Sequence, residues 1–186
     1  YTLLAARLVG KDGRVFAFEP DPHNFRALVF NIRKNAYQNV TAIAKPLADW
    51  DGTAVLHQSS GTISSSLGDR RELESCVGGA SIKKVQVQAT TLDSELGEQR
   101  VDVIKLDIEG AEPLALRGMS SVLEENRSLT MFVEVNPPAL EKLGGSPQAL
   151  LGRLKELGFE VHLIDKSREK LVPAADAPQG QKGVLY

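Results

Sequence analysis

With 186 residues, 42% hydrophobic and 25% charged, and a formal net charge of -2, the chain has the length for one well-buried α/β domain and too few residues for a second. Its Lys and Arg are scattered, which excludes the basic stripe a nucleic-acid partner requires, and no stretch approaches the roughly 20 apolar residues of a membrane span. The single cysteine, Cys76, excludes an internal disulfide and a cysteine metal cluster, so a cytoplasmic setting is the expectation.

Tyr1 to Val9 carries Leu3, Leu4, Ala6 and Leu8 without a breaker, and Gly10 with the Lys11-Asp12-Gly13 turn follows, which predicts a helix closed by a glycine. The chain is expected to begin inside an element of something longer. Val15-Phe16-Ala17-Phe18 is short, apolar and unalternating, as for a parallel strand buried on both faces. Glu19 ends it. Asp21 as N-cap and Pro22 at the first helical position then start a helix with Phe25, Leu28, Val29 and Ile32 on one side. Val40 to Ala44 predicts the next strand, and Asp51-Gly52 a hairpin-type turn before Thr53 to Gln58, where antiparallel additions are plausible. Ser59 to Lys83, rich in Ser and Gly, predicts a long surface loop with one helical turn near Arg70 to Ser75.

Val85, Val87 and Ala89 alternate with polar residues and predict a half-exposed strand, followed by a short capped helix at Thr91 to Leu96. Val101 to Asp107 reads as the strongest buried strand, running into Ile108-Glu109-Gly110-Ala111-Glu112 and a helix to about Glu125. Leu129 to Val135 predicts another apolar strand, Ser146-Pro147 caps a helix ended by Gly158, and Phe159 to Ile164 is one more strand. Gly183 to Tyr186 is expected to add a last strand at the sheet edge. Strands separated by helices imply a mainly parallel sheet with helices on both faces and antiparallel edge additions.

Ligands of such sheets bind beyond the carboxyl ends of the strands. Those ends carry Glu19 followed by Pro20, Asp49, Asp107 to Glu112, and Glu134 to Asn136. Glu19 is placed to accept both hydroxyls of a ribose, or else simply flanks the helix that starts at Asp21. Asp49 either accepts from an adenine amino group or belongs to a plain Asp-Trp-Asp-Gly turn. Three acids within Asp107 to Glu112 repel one another unless a cation shares the space, and a sulfonium suits; otherwise Glu109 and Glu112 serve the following helix N-terminus. Glu134, between apolar neighbours, either acts in the site or pairs with Lys105 or an Arg. His23, His57 and His162 form no metal-ligand spacing, so no metal is expected, although Asp107, Glu109 and Glu134 could offer oxygens to Mg²⁺. Trp50 and Tyr37 are expected to cover core edges.

Together, Tyr-Thr-Leu-Leu-Ala-Ala at the start, Val-Phe-Ala-Phe-Glu-Pro-Asp-Pro, Thr-Thr-Leu-Asp at 90–93, Ile-Lys-Leu-Asp-Ile-Glu-Gly-Ala-Glu and Phe-Val-Glu-Val-Asn-Pro resemble the successive signatures of FkbM-type methyltransferases. The resemblance runs from Tyr1 to about Ile164 and is densest at 104–112. It implies a Rossmann-like class I methyltransferase fold using S-adenosylmethionine, with Glu19 and Pro20 at the ribose, Asp49 near the adenine, and Asp107 facing the methionine end and the acceptor. The acceptor it implies is a hydroxyl of a sugar or secondary metabolite. The Ser-rich loop at Gly61 to Leu67 is similar to a family feature near the pocket mouth. In that family a strand and a glycine-rich turn precede the Tyr-Thr-Leu-Leu helix, so this single domain is expected to lack its first strand and glycine loop.

Methyl transfer to an alcohol needs alignment and removal of the hydroxyl proton as the bond forms, which calls for a nearby carboxylate. Asp107 or Glu109 is the expected base, and Glu134 the group that orients the acceptor or its partner. Two other readings use the same residues: a nicotinamide-dependent oxidoreductase, because Glu19 suits an NAD ribose equally, and a binding domain without catalysis.

Overall fold

The computed structural model describes residues 1–58, 65–67, 83–165, 170–173 and 183–185. Helix α1 (Thr2–Leu8) ends with Gly10 in the left-handed region, as a glycine after a helix allows. Strand β1 (Val15–Phe18) pairs in parallel with β2 (Val40–Ile43), Val15 opposite Val40 and Phe18 opposite Ile43. Helix α2 (Pro22–Lys34) connects them. Its first turn is held by Asp21, whose Oδ1 accepts the backbone N–H of His23 at 2.8 Å and of Asn24 at 3.0 Å. The Asn39 side chain donates to the carbonyls of Ala6 and Gly10, binding the end of α1 to the start of β2.

The Asp51-Gly52 turn does not close a hairpin onto β2. Instead β3 (Gly52–Gln58) runs antiparallel to β4 (Ser65–Leu67) and to β5 (Lys83–Ala89). Ser65–Leu67 is thus strand where the sequence reads as loop, and the helical turn expected at Arg70 to Ser75 lies outside the described residues. β5 carries the expected alternation, with Val85 and Val87 half-buried and Ala89 buried, each following an exposed residue. Trp50 covers the edge of a small cluster of Ala48, Ala54, Ala89 and Ala111, as expected.

The Thr-Thr-Leu-Asp segment is a junction. Thr90 Oγ1 lies 2.8 Å from Asp51 Oδ1 and 3.0 Å from Glu95 Oε1, and Thr91 caps α3 (Leu92–Leu96) by accepting the Ser94 N–H. Hydrogen bonds from Thr90 and Ser94 hold the Asp51 carboxyl below the usual carboxylate range. Asp93 reaches across to accept the N–H groups of Ser121 and Val122.

That last contact explains a departure from the sequence reading. The helix expected from Glu112 to Glu125 is two helices, α4 (Glu112–Arg117) and α5 (Ser120–Glu125). The break falls at Gly118, whose backbone lies so close to Ala48 that an added Cβ would stand 1.9 Å from the Ala48 carbonyl oxygen. Asp93 then supplies the acceptors that a fresh helix start needs.

β6 (Val103–Leu106) pairs in parallel with β7 (Thr130–Val135), followed by α6 (Pro137–Lys142), α7 (Pro147–Glu156), β8 (His162–Asp165), β9 (Lys170–Pro173) and β10 (Gly183–Leu185). Neither α6 nor β9 is foreseen from sequence. Nor is β10 at an edge: it lies between β7 and β8, antiparallel to both, in the order β6-β7-β10-β8-β9. Among the described residues, two of the seven strand pairings are parallel, so the α/β class stands while the expected predominance of parallel pairing does not.

The main core gathers Leu106, Leu116, Met119, Val122, Val133 and Leu150, with Phe16 and Phe18 of β1 packed against it. β6 and β7 are not buried on both faces. Along β7, Met131, Val133 and Val135 are buried while Thr130, Phe132 and Glu134 are half-covered, and on β6 Ile104 and Leu106 are buried while Lys105 is not. A pleat with period two therefore leaves Lys105, Phe132 and Glu134 on the more open face.

Candidate active site

The open face leads to a cluster at the carboxyl ends of β6 and β7. Lys105 Nζ lies 2.6 Å from Asp107 Oδ2 and 4.0 Å from the centre of the Tyr1 ring, which brings the start of α1 over the same place. Glu134 shares a hydrogen bond with Asp107. This bond, burial, and the charges of Asp107 and Glu109, opposed by Lys105, push the Glu134 carboxyl up to about 7. The same bond, with Lys105 adding to it, holds Asp107 below the ordinary carboxylate range. The two opposed shifts describe a pair that shares one proton below about pH 7. Lys105 is the cation that the acid-rich segment requires, and it sits against Asp107 rather than against Glu134.

The turn between β6 and α4 is the most constrained backbone of the site. Glu109 (φ +54°) and Gly110 (φ +99°) both lie in the left-handed region, which costs a side-chain-bearing residue on the order of 1–3 kcal/mol. Gly110 is required twice over, because a Cβ there would stand 2.4 Å from the Ala139 carbonyl oxygen at the start of α6. The unusual backbone turns Glu109 toward β7, where its Oε2 accepts from Asn136 Nδ2 at 2.9 Å. Glu112, 1% exposed, folds back under the turn: its Oε1 faces the N–H of Ile108 at 3.2 Å and of Gly110 at 3.4 Å. Burial pushes its carboxyl upward.

Asp107, Glu109 and Glu134 are therefore brought together, with Lys105, Asn136 and Glu112 around them. Glu19 and Asp49 are held by other partners. Glu19, half-buried after β1 and before the half-covered Pro20, accepts the Asp21 N–H on Oε1 at 2.9 Å and a hydrogen bond from Asn24, so it flanks the start of α2. Burial nonetheless raises its carboxyl. Asp49 Oδ2 accepts from Arg117 Nε at 2.7 Å, tying the chain after β2 to the end of α4. Arg117 is a residue that sequence reasoning missed as a site builder; Glu112 and Asn136 fall inside the strand-end stretches it marked, but without the roles they have here. For Glu112 the available signal is a carboxyl two residues after the glycine of a turn that must bury N–H groups; Arg117 and Asn136 meet their partners only through the fold. A groove of about 310 Å³ between Asn126–Met131 and Leu157–Glu160 lies at the amino end of β7, away from this cluster.

This mixed α/β domain thus gathers Asp107, Glu109 and Glu134 at the carboxyl ends of a parallel strand pair, the rim where ligands of α/β sheets generally bind. The model of the methyltransferase FkbM domain matches residues 1–161, and the chain belongs to that methyltransferase family. No curated protein and no solved structure matches it. No helix among the described residues is long and apolar enough to cross a membrane.

Proposed function

We propose that this chain is an S-adenosylmethionine-dependent O-methyltransferase that methylates a hydroxyl of a sugar or secondary metabolite. The observation that carries the reading is the cluster at the ends of β6 and β7, where Asp107 and Glu134 share a hydrogen bond and Glu109 lies next to them. The donor set fits the cofactor: Asp107, partly exposed and anionic, suits a sulfonium, and Glu19, half-buried, suits ribose hydroxyls. Pro20 would line the ribose side and Asp49 the adenine side, with Arg117 fixing the Asp49 carboxylate. When bound, S-adenosylmethionine supplies a methyl group on a good leaving group. Asp107 or Glu109 accepts the acceptor's hydroxyl proton, and Glu134 orients the acceptor or, through their shared hydrogen bond, Asp107 itself.

We further propose that the described fold lacks a first strand and glycine loop. Among the described residues β1 and β6 each pair on one side only, Phe16 and Phe18 still pack on the core behind β6, and Val103 is 61% exposed. A strand between β1 and β6 would cover these edges and bring the Glu19 and Asp107 strand ends into one rim.

Calorimetry of the natural full-length protein with S-adenosylhomocysteine and with NAD tests the reading. Saturable heat with the first and none with the second is expected; heat with NAD alone, or with neither, overturns it. In Asp107→Asn and Glu109→Gln, turnover of the methyl acceptor is expected to fall about 10²- to 10⁴-fold in at least one, with S-adenosylhomocysteine affinity nearly kept. Unchanged turnover in both removes the assigned base.

A further inference from the structure

Glu112 is buried more completely than any charged group of the cluster, at 1% exposed, and its Oε1 bonds are to backbone N–H groups rather than to the other carboxyls. What it touches is backbone. Its Oε1 faces the N–H groups of Ile108 and Gly110, the two that flank Glu109, while its Oε2 has no hydrogen-bond partner among the described residues. A carboxyl placed merely to favour a helix N-terminus has no need to be dry, and an oxygen left without a partner in the interior is costly. The arrangement persists because buried N–H groups in a turn of left-handed residues have few other acceptors.

We infer that Glu112 is a positioning residue, which clamps the Ile108–Gly110 turn from beneath so that Asp107 meets Glu134 and Glu109 meets Asn136. The role deepens the methyltransferase reading and rests on it for its meaning in catalysis, but its geometry is independent of any cofactor. Burial pushes the carboxyl upward and its Oε1 acts as an acceptor, a part that the carbonyl oxygen of an amide of the same length also plays. A shorter carboxyl, or an apolar side chain of similar volume, does not.

The test follows the Glu134 carboxyl by carbon NMR titration in the cofactor-free protein, because that signal reports whether Asp107, with Glu109 and Lys105 around the pair, is in place. In the unsubstituted protein and in Glu112→Gln the midpoint is expected near 7. In Glu112→Asp and Glu112→Leu it is expected to drop by about one pH unit or more, toward the ordinary glutamate range. If Glu112→Leu does not fold, Glu112→Asp decides. A folded Glu112→Asp that keeps the unsubstituted midpoint overturns the inference, as does a folded Glu112→Gln that loses it. Calorimetry with S-adenosylhomocysteine on the same full-length proteins separates the two claims: absent heat in the unsubstituted protein, with the titration pattern kept, removes the methyltransferase reading and leaves the clamp.

Discussion

The carboxyl of Glu134 keeps its proton to about pH 7 in the folded chain, against an ordinary value of 4.5. Unfolded chains release that proton first, so between pH 4.5 and 7 the folded state binds more protons and loses relative stability as pH rises. Asp107 acts in the opposite sense, but only as pH falls below its ordinary 3.8, outside this window. Urea unfolding at pH 5 and pH 8 is therefore expected to show a smaller loss of stability across the interval in Glu134→Gln than in the unsubstituted protein. An equal loss in both removes the shared proton. Gly110→Ala meets both a positive φ and the Ala139 carbonyl, and is expected to cost about 2–3 kcal/mol in the same unfolding assay.

Elements here are bounded by side chains from other elements. Asp93 of α3 starts α5 by accepting two of its backbone N–H groups, and Gly118 ends α4 where it meets Ala48. Asp93→Ala is expected to destabilise the fold by about 1 kcal/mol, read from the shift in urea midpoint, whereas Asp93→Asn, which keeps an acceptor, should lose less. Equal losses would mean that charge, not capping, sets the contribution. The caps that are local in sequence, Asp21 of α2, Thr91 of α3 and Ser146 of α7, were readable beforehand because acceptor and donor lie within three residues. The Gly118 break was not, since its cause is 70 residues away at Ala48.

At the scale of the molecule, β10 binds the carboxyl-terminal strands to the site: its backbone runs opposite Val133, Glu134 and Val135 of β7 and opposite Leu163 of β8. Removal of residues 183–186 leaves those β7 groups without their partner strand. Thermal unfolding of the truncated chain is expected at a lower temperature, with Glu134 titrating at a lower pH because its strand no longer holds it against Asp107. A truncated chain that melts and titrates unchanged would show that β10 carries neither load.

The sequence by itself determined the α/β class, the strand and helix starts marked by Asp21-Pro22, Thr91 and Ser146-Pro147, the family, and the concentration of acids at Asp107 to Glu112. Each is a local pattern, of period, cap or motif, that a few neighbouring residues define. Only the tertiary structure decided that Lys105 faces Asp107, that Glu134 holds the proton, that Glu112 lies beneath the turn, and that β10 enters between β7 and β8. Lys105 and Asp107, and Glu112 and its turn, lie within a few residues of each other, but burial and the backbone of the turn set which way they face; the other outcomes join residues far apart in the chain.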